Sequence, residues 1–341
     1  MQNRVLVTGA NGFIASHITK LLLEQGFAVR GTVRNPLKLD AVGFLKALPG
    51  AHNLELVSAD LNDEGAFLDY TADVDYVIHA ASPFVIDVED VERDLVRPAV
   101  RGTVAALEAA AKSDRVKRVI LTSSMAAVTD APDERILTEA DWNKKSSATR
   151  NPYYYSKTQA ERAAWAFTSK ENPGFDLVVI NPFMVAGPSL STGVSTSNQL
   201  FIDIANGQYP ALMALNWGFV DVREVAEAHV RAMTAPNAKG RYICSAGNID
   251  MHQITYIMKS AGVVGKLPSL DLSGSFGTAT MKLLSHFQPR GIGSYLRTHL
   301  GTVPHFDNSK IRRDLGMQFR DVGETIHDTV YDLIEWGHLS S

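Results

Sequence analysis

With 341 residues, 45% of them hydrophobic and 21% charged, the chain is long enough for one large domain plus a smaller dependent one, and its composition is that of a soluble globular protein. A net charge of −4 gives no electrostatic reason to expect nucleic acid or an anionic membrane as a partner. Cys244 is the only cysteine, which excludes an intramolecular disulfide and fits a reducing, cytoplasmic setting.

The N-terminal MQNRVLVTGANG enters a strand at once, without the basic and then apolar segments of a secretory leader. No apolar run approaches the roughly 20 residues of a membrane span. The first half alternates short β-rich runs with helical patterns. Strands are expected at Arg4–Thr8, Ala28–Arg34, Leu54–Ser58, Asp75–His79, Arg118–Ser123 and Asp176–Asn181. Helices are expected at Phe13–Glu24, Leu37–Ala47, Val91–Ser113 and Tyr153–Ser169. Runs such as VLV, YVIHA and VILTS are apolar at consecutive positions, so those strands are buried on both faces, as in a parallel sheet covered by helices. The rhythm predicts an α/β, Rossmann-type doubly wound parallel sheet. After Pro182 the rhythm breaks. Gly262–Pro304 is rich in Gly, Ser and Pro, and helices return at Val222–Met233, Asp307–Leu315 and Asp321–Trp336. The last carries Val322, Ile326, Val330 and Ile334 on one face. The C-terminal part reads as a smaller cap over the carboxyl edge of the sheet, with substrate between the two.

The segment Thr8-Gly9-Ala10-Asn11-Gly12-Phe13-Ile14-Ala15 joins the first strand to the first helix. Gly9 permits the tight turn, Gly12 lets the backbone approach a pyrophosphate, and Ala15 keeps the helix close to the sheet. The free N–H groups of the helix N-terminus complete an anion site, so Gly9, Asn11, Gly12, Phe13 and Ile14 are read as cofactor contacts. An NAD site usually has an acid about 20 residues further on, bonding the ribose 2′-hydroxyl. Here the second strand ends in Arg34, with Lys38 behind it and no acid before Asp40. A guanidinium matches a 2′-phosphate, so the cofactor expected is NADP(H). Asp60, followed by Leu61, either lies near the adenine or caps the next helix. Ala80, Ala81 and Ser82 give the clearance a dinucleotide needs across the strand ends, and Thr122 closes the strand that leads to Ser123 and Ser124.

One Tyr-x-x-x-Lys occurs, Tyr153 to Lys157. Ten tyrosines would produce such a spacing by chance about half the time, so its position carries the weight. It opens the helix that follows the Thr122-Ser123-Ser124 strand end, and residues four apart share a helix face. Reduction of a carbonyl by hydride leaves an alkoxide that a phenol can protonate. A neighbouring ammonium is expected to lower the phenol pKa from about 10 toward neutrality. Ser124 is assigned to hydrogen-bond the substrate oxygen, with Ser123 as the alternative.

These residues resemble the extended short-chain dehydrogenase/reductase family, and within it the dihydroflavonol reductase-like branch of aldehyde and ketone reductases. The resemblance runs over nearly the whole chain, through VTGANGFIASH, VRGTVRN, HAASPF, RPAVRGT, LTSSMAAV, YYYSK, NPFMVAGP, FVDVREVAEAH and FDNSKIRRDLGM. It implies a catalytic triad of Ser124, Tyr153 and Lys157, with Arg34 on the 2′-phosphate and Pro182 and Val185 beside the nicotinamide. It also implies a substrate pocket shaped by Phe84, Met125, Tyr154, Phe183 and Ser197. The second domain is then discontinuous. Residues 1–181 with about 219–240 would bind the dinucleotide, and about 182–218 with 241–341 would form the substrate-binding cap. Val220–Thr234 would return to the Rossmann part, with Asp221 and Arg223 as structural contacts. Relatives often carry asparagine where Arg101 stands, so a proton relay through that position is not carried over. The Asn-Trp-Tyr-Cys-Tyr run of cinnamoyl-CoA reductases is absent, which disfavours a thioester substrate. The segment Ser285–Pro304 matches no family feature and is placed at the pocket rim.

The function expected is NADPH-dependent reduction of a hydrophobic or aryl aldehyde or ketone by a monomer or homodimer. A nucleotide-sugar epimerase or dehydratase would call for NAD and polar sugar contacts, which Arg34 and the Phe- and Met-rich segments oppose. A non-catalytic NADP sensor would have no need of the Tyr–Lys pair.

Overall fold

The computed structural model describes residues 3–61, 63, 65–82, 88 and 90–341, Arg290 by its backbone. Seven strands form one sheet in the order Gly240–Cys244, Asp176–Pro182, Arg118–Thr122, Tyr76–His79, Arg4–Thr8, Ala28–Val33, Leu54–Ser58, every neighbouring pair parallel. The alternation of side chains explains the two-sided burial. Val5 and Val7 enter a core with Ile18 and Leu22 of the helix Phe13–Glu24 and Val225 and Ala228 of the helix Val222–Thr234. Leu6 enters the opposite core, with Leu107 of the helix Arg97–Ala111 and Ala164 of the helix Pro152–Glu171. Each fully buried Val, Leu or Ile side chain among these stabilises the fold by about 1.5–3 kcal/mol.

A second sheet joins Met184–Ala186 parallel to Asn216–Asp221 and Gly247–Asp250 antiparallel to the latter. Its core contains Phe201, Phe219, Ile254 and Leu300, together with Val322, Ile326 and Val330 on the inner face of the helix Val322–Glu335. Ile334 packs at its margin, while Leu333 occupies the fully buried position.

Three expectations need correction. Gly240–Cys244 belongs to the large sheet, beside Asp176–Pro182, so a cap beginning at 241 cuts through a strand. Tyr242 and Cys244 are completely buried there, and Ile311 and Leu315 of the helix Ser309–Leu315 pack into the same core. The helix expected over Val91–Ser113 is a wide π-turn at Glu92–Val96 followed by Arg97–Ala111, because Pro98 has no N–H to continue the ladder. Two ten-residue helices, Ser275–Leu284 and Arg290–His299, occupy the Gly-, Ser- and Pro-rich stretch for which no helix was expected. Gly293 serves packing there: a Cβ on it would stand 2.3 Å from the Ser285 carbonyl oxygen.

Asp221 joins the two halves. Completely buried, it caps the helix Val222–Thr234 by accepting the Arg223 N–H at 2.8 Å and takes the Arg223 guanidinium at 2.6 Å, while the same guanidinium reaches Asp328 at 2.6 Å. Asp221→Ala removes the cap and one of the two carboxylates on Arg223, which keeps Asp328. It is expected to cost about 2–3 kcal/mol of unfolding free energy, read by urea denaturation; a loss below about 0.5 kcal/mol would make the contact incidental.

Candidate active site

The strand order reverses between Arg4–Thr8 and Tyr76–His79, so the loops leaving these neighbours diverge and open a crevice at the carboxyl edge. Thr8 fastens both sides of it. Its hydroxyl accepts the N–H groups of Ala80 at 3.1 Å and Ala81 at 3.0 Å, so its own proton goes to Nδ1 of the buried His79, 2.9 Å away. Gly9 then turns with φ of 66°, and a Cβ there would meet that of Ala81 at 3.1 Å. The helix Phe13–Glu24 begins at Gly12 with no side-chain cap and no acid in its first turn, leaving its N-terminal N–H groups for an anion. Arg34 and Lys38 are exposed and make no ion pair among the described residues. This open positive edge, the uncapped helix and the close Gly9–Ala81 contact together fit a phosphorylated dinucleotide.

The remaining cofactor candidates are placed unequally. Asn11 is exposed and its amide reaches the Ala41 carbonyl at 3.4 Å. Phe13, Ile14, Asp60, Ala80, Ala81 and Ser82 are partly exposed around the crevice. Leu61 packs over Gly102. The Thr122 hydroxyl bonds His229 Nε2 at 2.8 Å and is thus committed to the helix Val222–Thr234. Pro182 is buried, and the Val185 side chain lies in the main core.

Tyr153 and Lys157 sit in the first two turns of Pro152–Glu171, which starts with proline as its first residue, where a missing N–H costs nothing. The Tyr153 hydroxyl hydrogen-bonds Ser124. Ser123 points elsewhere, giving its proton to the buried Glu161 carboxylate at 2.5 Å. The Ser124 Oγ also accepts the Ala126 N–H at 3.1 Å. Lys157, 9% exposed, donates to Ser82 Oγ at 3.0 Å and holds its ammonium 5.9 Å from the centre of the Tyr153 ring. Burial dominates both titrations. It pushes the Tyr153 phenol up to about 12, against the Ser124 bond that pulls it down, and lowers Lys157 to about 8, against the Glu161 carboxylate that raises it. The expected fall of the tyrosine pKa toward neutrality is not what this geometry gives: desolvation of the hydroxyl outweighs an ammonium engaged with Ser82.

Among the pocket candidates, Met125 and Phe183 share a cluster with Phe306, whose ring centroid is 5.3 Å from that of Phe183. Tyr154 stands edge-on to Tyr153 and bonds His299 Nε2 at 3.2 Å. Ser197 is partly exposed at the start of the helix Thr196–Ala205. Phe84 lies outside the described residues. Arg101 is exposed on the helix Arg97–Ala111. The unassigned segment Ser285–Pro304 does reach the site. The Ser294 hydroxyl accepts the Asn151 N–H at 3.0 Å, at the head of the Tyr153 helix, and His299 holds Tyr154. Sequence reading missed Glu161, Asn181 and His299. The i+4 spacing of Lys157 and Glu161 was a usable signal for the first; nothing local marks the others.

A family model described as the NAD dependent epimerase/dehydratase family matches residues 5–245. The chain is 36% identical to cinnamoyl-CoA reductase 1 of Arabidopsis thaliana over 342 residues, covering 98% of this chain and 90% of that protein. It is 40% identical to tetraketide alpha-pyrone reductase 2 of the same plant over 266 residues, 75% of this chain and 81% of the relative. Among solved structures, yeast methylglyoxal/isovaleraldehyde reductase Gre2 complexed with NADPH superposes with a TM-score of 0.80 at 30% identity, covering 98% of this chain and 99% of that one. With these matches over the crevice and the Ser–Tyr–Lys constellation, the chain belongs to the NAD dependent epimerase/dehydratase family, the extended short-chain dehydrogenase/reductases, in its dihydroflavonol reductase-like branch.

Proposed function

We propose that this protein reduces an aldehyde or ketone to the alcohol with NADPH, Tyr153 giving the proton. One observation carries the reading: the Tyr153 hydroxyl is bonded to Ser124, with Lys157 on the same helix face, beside an uncapped helix N-terminus at the crevice. Reduced nicotinamide bound along that crevice would supply the hydride for the carbonyl carbon. Gly9, Gly12 and the first turn of the helix would hold the pyrophosphate, and Arg34, with Lys38, the 2′-phosphate. Ser124 donates a hydrogen bond to the substrate oxygen and polarises it. Tyr153 transfers its proton as the oxygen becomes an alkoxide. Its raised pKa keeps that proton in place until then, and the Lys157 ammonium stabilises the phenolate left behind. The apolar surroundings of Met125, Phe183 and Phe306 support a hydrophobic or aryl carbonyl in place of a sugar nucleotide. A cytoplasmic setting agrees with the lone Cys244, whose thiol burial holds protonated.

Three outcomes test this reading. Tyr153→Phe lowers kcat at least about a thousand-fold while NADPH still binds, read by nicotinamide absorbance and fluorescence; turnover within a few-fold of wild type would remove Tyr153 as donor. Arg34→Asp shifts the NADPH-to-NADH preference by about a hundred-fold toward NADH, as loss of a charge-assisted phosphate contact requires; an unchanged ratio would assign 2′-phosphate recognition elsewhere. Because burial lowers Lys157 to about 8 and Tyr153 stays protonated, kcat for reduction holds steady near neutrality and falls as pH rises through about 8. A decline beginning only near pH 10 would contradict a charged Lys157 requirement.

A further inference from the structure

Behind the site lies a buried ion pair that the proposed reaction does not use. Glu161, 1% exposed, sits one turn beyond Lys157 on the same helix. Its carboxylate accepts four bonds: Arg241 Nε at 2.5 Å, Ser123 Oγ at 2.5 Å, Asn181 Nδ2 at 2.7 Å and Trp165 Nε1 at 3.3 Å. Arg241, 6% exposed on the outermost strand Gly240–Cys244, lies with its guanidinium 3.9 Å from the Trp142 ring centre and donates to the carbonyls of Glu139 and Asp141. The same Asn181 amide donates to the Ser124 carbonyl at 3.0 Å. The carboxylate thus holds the Ser123–Ser124 turn at two points, through the Ser123 hydroxyl and through Asn181. Replacing such a pair by apolar residues is often neutral for stability, so stability alone does not account for it.

We propose that Glu161, locked by Arg241, is the positioning residue of the active site: it sets the Ser123–Ser124 turn against Tyr153 and keeps the buried Lys157 ammonium charged. This rests on the function proposed above for Ser124, Tyr153 and Lys157. Among the described residues, the groups around Lys157 leave one charge to do this. His79 and Ser82 face it from the end of the neighbouring strand, Thr103 from the helix Arg97–Ala111, and Ser123 from the strand end beside it. These line with it and Glu161 a cavity of about 10 Å³, space for one water centre. Burial pulls His79 down to about 4 and pushes Tyr153 up to about 12, so between these values both are neutral and Glu161 is the anion next to the lysine. Arg241 lies beyond it, neutralising the carboxylate's far side.

The sign of the effect is fixed. The carboxylate raises the Lys157 pKa, so removing it lowers that pKa and the lysine loses its proton at lower pH. The test uses the full-length, cofactor-free protein labelled on lysine side chains with 13C and 15N, with the Lys157 signal assigned from its absence in Lys157→Met. In Glu161→Gln the Lys157 midpoint moves down by about one pH unit, kcat for carbonyl reduction near pH 7 falls about ten-fold or more, and KM and NADPH affinity stay within about two-fold. Glu161→Gln leaves Arg241 as an unpaired buried cation and destabilises the fold, so the double variant Glu161→Gln/Arg241→Met is measured beside it. It recovers urea stability but keeps the lowered Lys157 midpoint and the reduced kcat. A double variant with wild-type kcat, or either variant with an unmoved Lys157 midpoint, overturns the proposal and leaves the pair as packing. The titration is read without turnover, so a wild-type protein that reduces no carbonyl would count against the proposed reaction and not against the charge coupling.

Discussion

In a fully parallel sheet every strand finishes at the same edge, and that constraint organises the rest of this molecule. The loops after Arg4–Thr8, Tyr76–His79, Arg118–Thr122 and Asp176–Pro182 have nowhere else to emerge. Where the strand order reverses, the loops part and leave room for an extended ligand. Thr8 spends its one hydroxyl on keeping that parting narrow, accepting from Ala80 and Ala81 and donating to His79. The glycine turn follows directly, and the Ser124 turn and the Tyr153 helix meet the same edge from the adjoining strand. A site for a long cofactor and a site for proton transfer thus become one place through topology, before any side chain is specialised.

The specialised side chains then work against water. Desolvation moves the tyrosine up and the lysine down. Tyr153 therefore keeps its proton throughout the neutral range, which suits a donor to an alkoxide. Lys157 sits close to losing its own, which makes it sensitive to nearby charge. The buried carboxylate of Glu161 opposes that loss, and Arg241 offsets the cost of burying the carboxylate. A strand at the far margin of the sheet thereby bears on chemistry two strands away. The helix Arg290–His299 bears on it from the other side, tying Asn151 and Tyr154 at the head of the Tyr153 helix.

Much of this was legible in the sequence because its signals are local. Consecutive apolar runs mark two-sided strands, the Gly9–Gly12 turn sits between a strand and a helix, and Tyr153–Lys157 is a one-turn spacing. Illegible parts depend on distant partners. Nothing in RYICS announces which sheet Gly240–Cys244 joins; only pairing with Asp176–Pro182 decides it. The Gly-, Ser- and Pro-rich stretch 262–304 gave no sign of its two helices, and Gly293 there is required by the Ser285 carbonyl oxygen of the preceding turn. The two serines at the strand end were not separable for the same reason: the Ser123 hydroxyl goes to the buried Glu161, a partner 38 residues away, while Ser124 lies beside Tyr153. The tyrosine pKa went the other way from expectation for a related reason. Burial depth is a property of the packed whole and cannot be read from an i+4 pair.

Direct isotope transfer probes the assembled site most closely. NADPH carrying deuterium at the transferring C4 position is incubated with the protein and an aromatic aldehyde, and the alcohol is analysed by mass spectrometry. One deuterium on the carbinol carbon for each NADPH oxidised is the result that direct hydride transfer at this crevice predicts. Alcohol free of deuterium, or no NADPH consumption with any aldehyde or ketone while the cofactor remains bound, would contradict it.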